Sequence, residues 1–194
     1  QSGTSTKRDF VEVPSQLFEH WAWDYDSLNR FAKHYQTGEV IPKDLHEKML
    51  DTKNVDSGLF TLQQVFYAML DMTFHDRYDP EKDPRSTTEV VKELQNKITW
   101  FDYMEDTHFE AGFGHLYGYA AGYYGYMWAK VYAEDMYSLF RENGSFNSQM
   151  GTKLKEMVLE KGASREESKI VRDFLGREPS YEAFLESMGI KEKQ

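Results

Sequence analysis

No cysteine occurs among the 194 residues, which excludes disulfides, thiolate metal sites and a cysteine nucleophile together. Basic clusters are missing too: 23 Lys and Arg stand against 33 Asp and Glu, giving a net charge of −10 and a pI near 5.1. A chain of that sign repels phosphate backbones and anionic headgroups, so neither nucleic acid nor membrane is an expected partner. No alternating apolar-polar run of useful length marks a strand, and no internal repeat is present. The chain starts at Gln1 without an initiator methionine, an apolar signal segment or a basic presequence, so it is expected to be part of a longer protein. Its length suits one domain with a sizeable core rather than two.

What is present reads as helix throughout, and the expected fold class is all-α. Asp9-Phe10-Val11-Glu12 has capping-box spacing, Pro14 lies just inside, and Val13, Leu17, Trp21, Leu28 and Phe31 continue an apolar stripe towards Gly38. That pattern predicts one long amphipathic helix. Pro42 opens a second, and Ser57-Gly58 precede a third in which Leu59, Leu62, Val65, Phe66, Met69 and Leu70 keep helical spacing. Ser86-Thr87-Thr88-Glu89 is a capping box for a helix to about Ile98, followed by an irregular aromatic stretch over 100–114. Asn147, Ser164 with Glu167, and Ser180 are predicted N-caps, with Gly162, Gly176 and Gly189 as stops.

The run from Phe113 to Tyr126 places one histidine and five tyrosines among glycines and alanines. Its spacing predicts a helix from about Gly114 to Arg141, with Tyr119, Tyr123 and Tyr126 on one face and His115 one turn upstream. A phenol with a pKa near ~10 stays protonated at neutral pH and can donate to a developing oxyanion without a counter-charge. The glycines, Gly114 among them, leave room for a substrate backbone. Two plainer readings stand beside this one. Gly114, Gly118 and Gly122 have the small-xxx-small spacing of closely packed or membrane helices, but five phenols and an imidazole suit hydrocarbon poorly. Tyrosines packing the core of a helical protein are the other.

Elsewhere the pattern offers less. Glu12, in the first turn of its predicted helix, is by default a cap. His20, His34, His46 and His75 lie among charged neighbours and are expected to be solvated. Glu105-x-x-His108 has the spacing of a di-iron ligand pair but has no second copy, and His46-Glu47 starts like HExxH but lacks the second histidine.

Several separated segments nevertheless resemble one family. Arg8-Asp9-Phe10-Val11-Glu12-Val13-Pro14-Ser15-Gln16 and His34-Tyr35-Gln36-Thr37-Gly38 are similar to the segment after the zinc helix in the thimet oligopeptidase and mitochondrial intermediate peptidase family of metallopeptidases. Phe113-Gly114-His115-Leu116 with Tyr119, Tyr123, Tyr124, Gly125 and Tyr126 resembles its substrate loop. Asp135-Met136, Gly162, Phe174-Leu175-Gly176-Arg177, Pro179 and Ala183-Phe184-Leu185 resemble its C-terminal signature.

The resemblance implies that residues 1–194 form the C-terminal part of a single catalytic domain, in a mostly helical, zincin-type oligopeptidase acting on short peptides. Glu12 matches the third zinc ligand, His115 and Tyr119 match groups that bind the substrate backbone, and Tyr123 and Tyr126 match phenols near the scissile carbonyl. Tyr126 is the candidate oxyanion donor. HExxH, which supplies two zinc histidines and the general base, is absent. The chain is therefore expected to need an upstream remainder carrying HExxH and to be inactive alone. The alternative is a non-catalytic helical module that binds extended peptides without metal. The short His115–Tyr119 spacing and Gln64-Val65-Phe66-Tyr67-Ala68 lean towards the mitochondrial branch, whereas Asp135-Met136 and Leu175-Gly176-Arg177 lean towards the cytosolic one. The expected compartment is thus the cytoplasm, with the mitochondrial matrix as alternative.

Overall fold

A computed structural model describes residues 3–190. Its helices are α1 (Arg8–Val11), α2 (Val13–Glu19), α3 (Tyr25–Phe31), α4 (Lys43–Thr52), α5 (Ser57–Met72), α6 (Thr87–Ile98), α7 (Phe109–Gly112), α8 (His115–Gly118), α9 (Gly125–Asn143), α10 (Ser148–Leu154), α11 (Glu167–Leu175) and α12 (Glu182–Ser187). Among the described residues the only extended pairing is a single bridge between Lys33 and Val40. The fold is all-α, as its sequence pattern requires. No described helix is long and apolar enough to cross a membrane. The chain divides into two compact units, one of residues 1–55 with 128–194 and one of residues 56–127.

The first unit is built on an apolar core. Val13 and Leu17 of α2, Met136 and Phe140 of α9, and Ile170, Val171 and Phe174 of α11 are all sealed from solvent. Each such side chain contributes roughly 1.5–3 kcal/mol by leaving water. Asp135 is buried among them and accepts both terminal nitrogens of Arg177, one at 2.8 Å, and the backbone N–H of Ser180 at 2.7 Å.

The long first helix predicted from the sequence is instead a broken series, for local reasons. Glu12 sits at φ −91°, ψ −1° between α1 and α2, and Pro14, which lacks an N–H, opens the second piece. His20–Ala22 form a 3₁₀ turn, after which Asp24 caps α3 by accepting the Ser27 N–H at 2.9 Å. The Asp9 capping box does not form. Lys7 is the N-cap, and its N–H donates to the Glu167 carboxylate 160 residues away. Phe31, predicted on the apolar stripe, is 68% exposed.

Further along, Asn147 caps α10 through the N–H groups of Gln149 and Met150, as its position predicts. Ser164 ends a 3₁₀ turn and Glu166, not Ser164, is the N-cap of α11. Ser180 precedes the cap residue Tyr181, although its hydroxyl still accepts the Glu182 N–H at 3.1 Å. Gly162, Gly176 and Gly189 all have positive φ, the left-handed conformation that ends helices.

Of the histidines expected in solvent, His46 is buried here and His20 is largely covered. His46 donates from Nε2 to the Trp23 carbonyl at 2.8 Å. His20 stacks on Tyr137 with ring centroids 4.0 Å apart, and its Nε2 lies 3.5 Å from the buried Glu134 carboxylate. Burial drives the His20 pKa down to about 4, helped by the positive charges of Lys53, Arg141 and Lys130.

In the second unit α5 and α6 bring Phe66, Leu70, Val90, Val91 and Tyr103 together. Tyr67, Phe74, Phe109 and Phe113 pack around this smaller core. The Ser86 capping box forms as read: Ser86 Oγ accepts the Glu89 N–H, and the Glu89 carboxylate accepts the Ser86 N–H at 2.6 Å.

Candidate active site

The predicted tyrosine helix is interrupted, and the interruption builds the site. After α8 the chain turns through residues 119–124 before α9 begins at Gly125. Ala121 adopts φ +52°, a left-handed conformation that costs a non-glycine residue about 1 kcal/mol. A fully buried side chain from α5 offsets that cost. Asp71 accepts the Ala121 N–H at 3.0 Å on one carboxylate oxygen and the Tyr123 N–H at 2.9 Å on the other. Hydrogen bonds to a charged acceptor are worth roughly 1.5–3 kcal/mol each, enough to outweigh the strain. The turn is thus held by a residue 50 positions upstream as well as by its own bond from the Gly122 N–H to the Tyr119 carbonyl at 3.1 Å.

The residues singled out for chemistry converge, though not on one helical face. His115 Nε2 and the Tyr126 hydroxyl are 3.2 Å apart. The Tyr119 and Tyr126 rings stack at 5.4 Å, and the Tyr123 ring lies 5.1 Å from His115 and 5.0 Å from Tyr126. Gly122 explains part of this packing, because a Cβ there would meet the Tyr119 ring at 3.0 Å and the Tyr119 carbonyl at 3.1 Å. At Gly114 an added Cβ meets open space, so no packing contact explains its glycine. Of the remaining phenols in the run, Tyr117 is 80% exposed and stands apart.

Geometry separates the phenols chemically. Tyr123 is buried, its hydroxyl donates to Gln64 Oε1 at 3.1 Å, and burial with the nearby Tyr67 and Tyr126 pushes its pKa up to about 12. It is a protonated pillar whose O–H is already engaged. Tyr126 is only partly buried and meets His115. A phenol of this kind is a donor suited to a polarised carbonyl.

Pattern reading missed Asp71 and the contacts of His75, which is exposed as expected. An aspartate isolated in the apolar stretch Phe66–Met72, with a histidine four residues later, was the available signal. His75 lies in a π-helical turn, Thr73–Arg77, that continues α5. Its Nδ1 is 2.8 Å from the Asp71 carbonyl and 3.0 Å from the Asp71 carboxylate, and its Nε2 is 3.1 Å from the Leu116 carbonyl. Glu12 belongs to the first unit, where its carboxylate accepts the Ser15 hydroxyl at 2.9 Å.

The family model described as peptidase family M3 matches residues 1–190. The chain belongs to that family. An M3 relative from Salmonella typhimurium, Oligopeptidase A, is 38% identical over 94% of this chain and 27% of its own length. Saccharolysin from Saccharomyces cerevisiae is 35% identical over 94% of this chain and 26% of its own. The mitochondrial intermediate peptidase of Arabidopsis thaliana is 36% identical over 91% and 25%. This M3 chain thus spans about a quarter of the length of the curated relatives it matches.

A catalytic zinc takes three protein ligands and an open position. Among the described residues of this M3 chain no three His, Asp or Glu side chains come together to hold a metal. Glu12 is one carboxylate, and its described partner is a serine. By themselves these residues do not make a zinc site.

Proposed function

We propose that this chain is the C-terminal part of the catalytic domain of a zinc-dependent endopeptidase that cleaves internal bonds of short peptides. The observation that carries the reading is the His115–Tyr126 pair, 3.2 Å apart within an aromatic cluster, in a chain of peptidase family M3. Tyr126 donates to the carbonyl oxygen as it gains charge. His115 and Tyr119 bind the peptide backbone, Gly114 leaves it room, and Tyr123 supports Tyr126 from beneath. Glu12 supplies one ligand to a zinc site whose two histidines and general base come from a segment of the same enzyme outside this chain. The acidic charge supports peptides, not nucleic acid or membrane, as partners. We place the enzyme in the cytoplasm, with the mitochondrial matrix as the alternative.

Hydrolysis of a quenched-fluorescent short peptide tests the reading, using the chain alone and mixed with the upstream portion of the enzyme. Activity is expected only in the mixture, and is abolished by a chelator or by Glu12→Gln. Tyr126→Phe is expected to lower kcat by about 10²-fold with little change in KM, the signature of a donor that acts in the transition state. A mixture that assembles and binds peptide but never cleaves it overturns this proposal in favour of a peptide-binding module. Full activity of the isolated chain overturns the assignment of the missing ligands.

A further inference from the structure

The turn that assembles the His/Tyr cluster is held on both sides by two residues with no part in the proposed chemistry. Asp71 is 0% exposed and takes the N–H groups of Ala121 and Tyr123, one on each carboxylate oxygen. One turn further along the same helix, His75 reaches the Leu116 carbonyl at 3.1 Å through Nε2 while its Nδ1 faces Asp71. The two residues therefore grip the chain before and after the segment carrying Tyr119, at positions 116, 121 and 123. Both ring nitrogens of His75 meet acceptors. A singly protonated imidazole satisfies one of them, and the imidazolium satisfies both while opposing the buried carboxylate.

We infer that Asp71 and His75 are positioning residues that clamp the 116–123 segment and so fix the arrangement of Tyr119, Tyr123 and Tyr126 around His115. Three features support it. The bond within the turn, from the Gly122 N–H to the Tyr119 carbonyl at 3.1 Å, leaves the N–H of the left-handed Ala121 unused, and the Asp71 carboxylate takes that N–H directly. Asp71 sits in an otherwise apolar stretch of α5, where a buried carboxylate is costly without its own donors. Tyr123, which follows the clamp, touches His115, Tyr126, Tyr67 and Gln64, so a shift of its backbone moves the whole cluster. The inference rests on the peptide-site reading only for its effect on binding. The clamp itself is testable without it.

The experiment uses the intact chain with 13C-labelled tyrosine, so that single phenols are titrated by NMR, with Asp71→Asn as the main variant. Asparagine keeps the shape of aspartate but presents an NH2 where three donors converge. Tyr123 is expected to titrate near about 12 in the parent and to move towards the ordinary value of 10.0 in Asp71→Asn. Exchange of the Ala121 and Tyr123 amides is expected to speed up by roughly tenfold or more while that of Val90 stays protected. His75→Leu, which leaves Asp71 in place, gives the same shift in smaller measure and serves if Asp71→Asn fails to fold. An unchanged Tyr123 titration with unchanged Ala121 and Tyr123 exchange overturns the clamp. A non-cleavable peptide isostere is then titrated into both proteins, and about tenfold weaker binding by Asp71→Asn is expected. If the parent binds no peptide, the proposed function fails while the titration still decides the clamp.

Discussion

Each unit buries one aspartate almost completely, Asp135 at 1% exposure in the first and Asp71 at 0% in the second, and the two are answered differently. Asp135 meets a full positive charge, the Arg177 guanidinium, plus one backbone N–H, all inside a unit with a broad apolar core. Asp71 meets two backbone N–H groups and an imidazole beside a small core fringed with aromatics. An arginine pair closes the charge on itself and ties α9 to the start of α12. A carboxylate answered by backbone amides dictates the path of the chain that supplies them. The first arrangement secures packing, whereas the second shapes a loop that carries His115 and the tyrosines.

The comparison breaks most sharply at Arg177. Arg177→Met leaves Asp135 as a buried charge with one donor, and removal of one partner of such a pair costs about 4 kcal/mol. Urea unfolding is expected to show that loss, with Tyr123 still titrating near about 12. A loss below about 1 kcal/mol means that the guanidinium merely covers Asp135.

Acid offers the next largest effect, again confined to the first unit. His20 is held neutral by burial, with a folded pKa of about 4 against an ordinary 6.5. The unfolded chain binds the extra proton first, so stability is fully present above pH 6.5 and is lost as pH falls from 6.5 towards 4. That window of about 2.5 pH units corresponds to about 3 kcal/mol. Burial pushes the Glu134 carboxyl up, which acts with the opposite sign as pH rises. His20→Phe keeps the stack on Tyr137 and removes only the imidazole, so the difference between its urea midpoints at the two pH values and the parent's isolates His20. Equal acid sensitivity in both proteins refutes the assignment.

Gly122→Ala sharpens the comparison inside the second unit. Its Cβ falls 3.0–3.1 Å from the Tyr119 ring and carbonyl, an overlap of the kind that costs about 2 kcal/mol when neighbours cannot give. The Tyr119 ring is expected to shift off Tyr126 and peptide affinity to drop, while the Asp71 bonds to Ala121 and Tyr123 remain. Amide exchange at Ala121 and Tyr123 reads the second half of that statement. Faster exchange at both positions means that the glycine, and not the aspartate, shapes the turn.

Much of the framework was legible because it is local. Leu17, Phe66 and Leu70 face the cores their spacing predicts, Ser86 and Asn147 cap where they should, and Gly162, Gly176 and Gly189 end helices at positive φ. Part of what failed depends on distant partners. The tyrosine run has helical spacing, yet Asp71 captures two of its N–H groups from 50 residues away. The Asp9 box is absent because α1 starts at Arg8 with Lys7 as its N-cap, which puts Asp9 inside the helix. Charged neighbours in sequence suggested solvent around His20 and His46, but a helix gives adjacent residues different faces, and the two rings find a carbonyl, a carboxylate or a phenol. The convergence of His115, Tyr119, Tyr123 and Tyr126 was anticipated, but its cause was not.

The smallest effect makes the finest distinction. Ser86→Ala removes the hydroxyl from the capping box of α6, and such a change costs about 1 kcal/mol. α6 carries Val90 and Val91 into the core of the second unit, so its loosening tests whether that core holds the tyrosine turn. If Asp71 and His75 hold it, the urea midpoint falls slightly while Tyr123 still titrates near about 12. If apolar packing holds it, the phenol falls together with the midpoint, and the contrast between the two buried aspartates is lost.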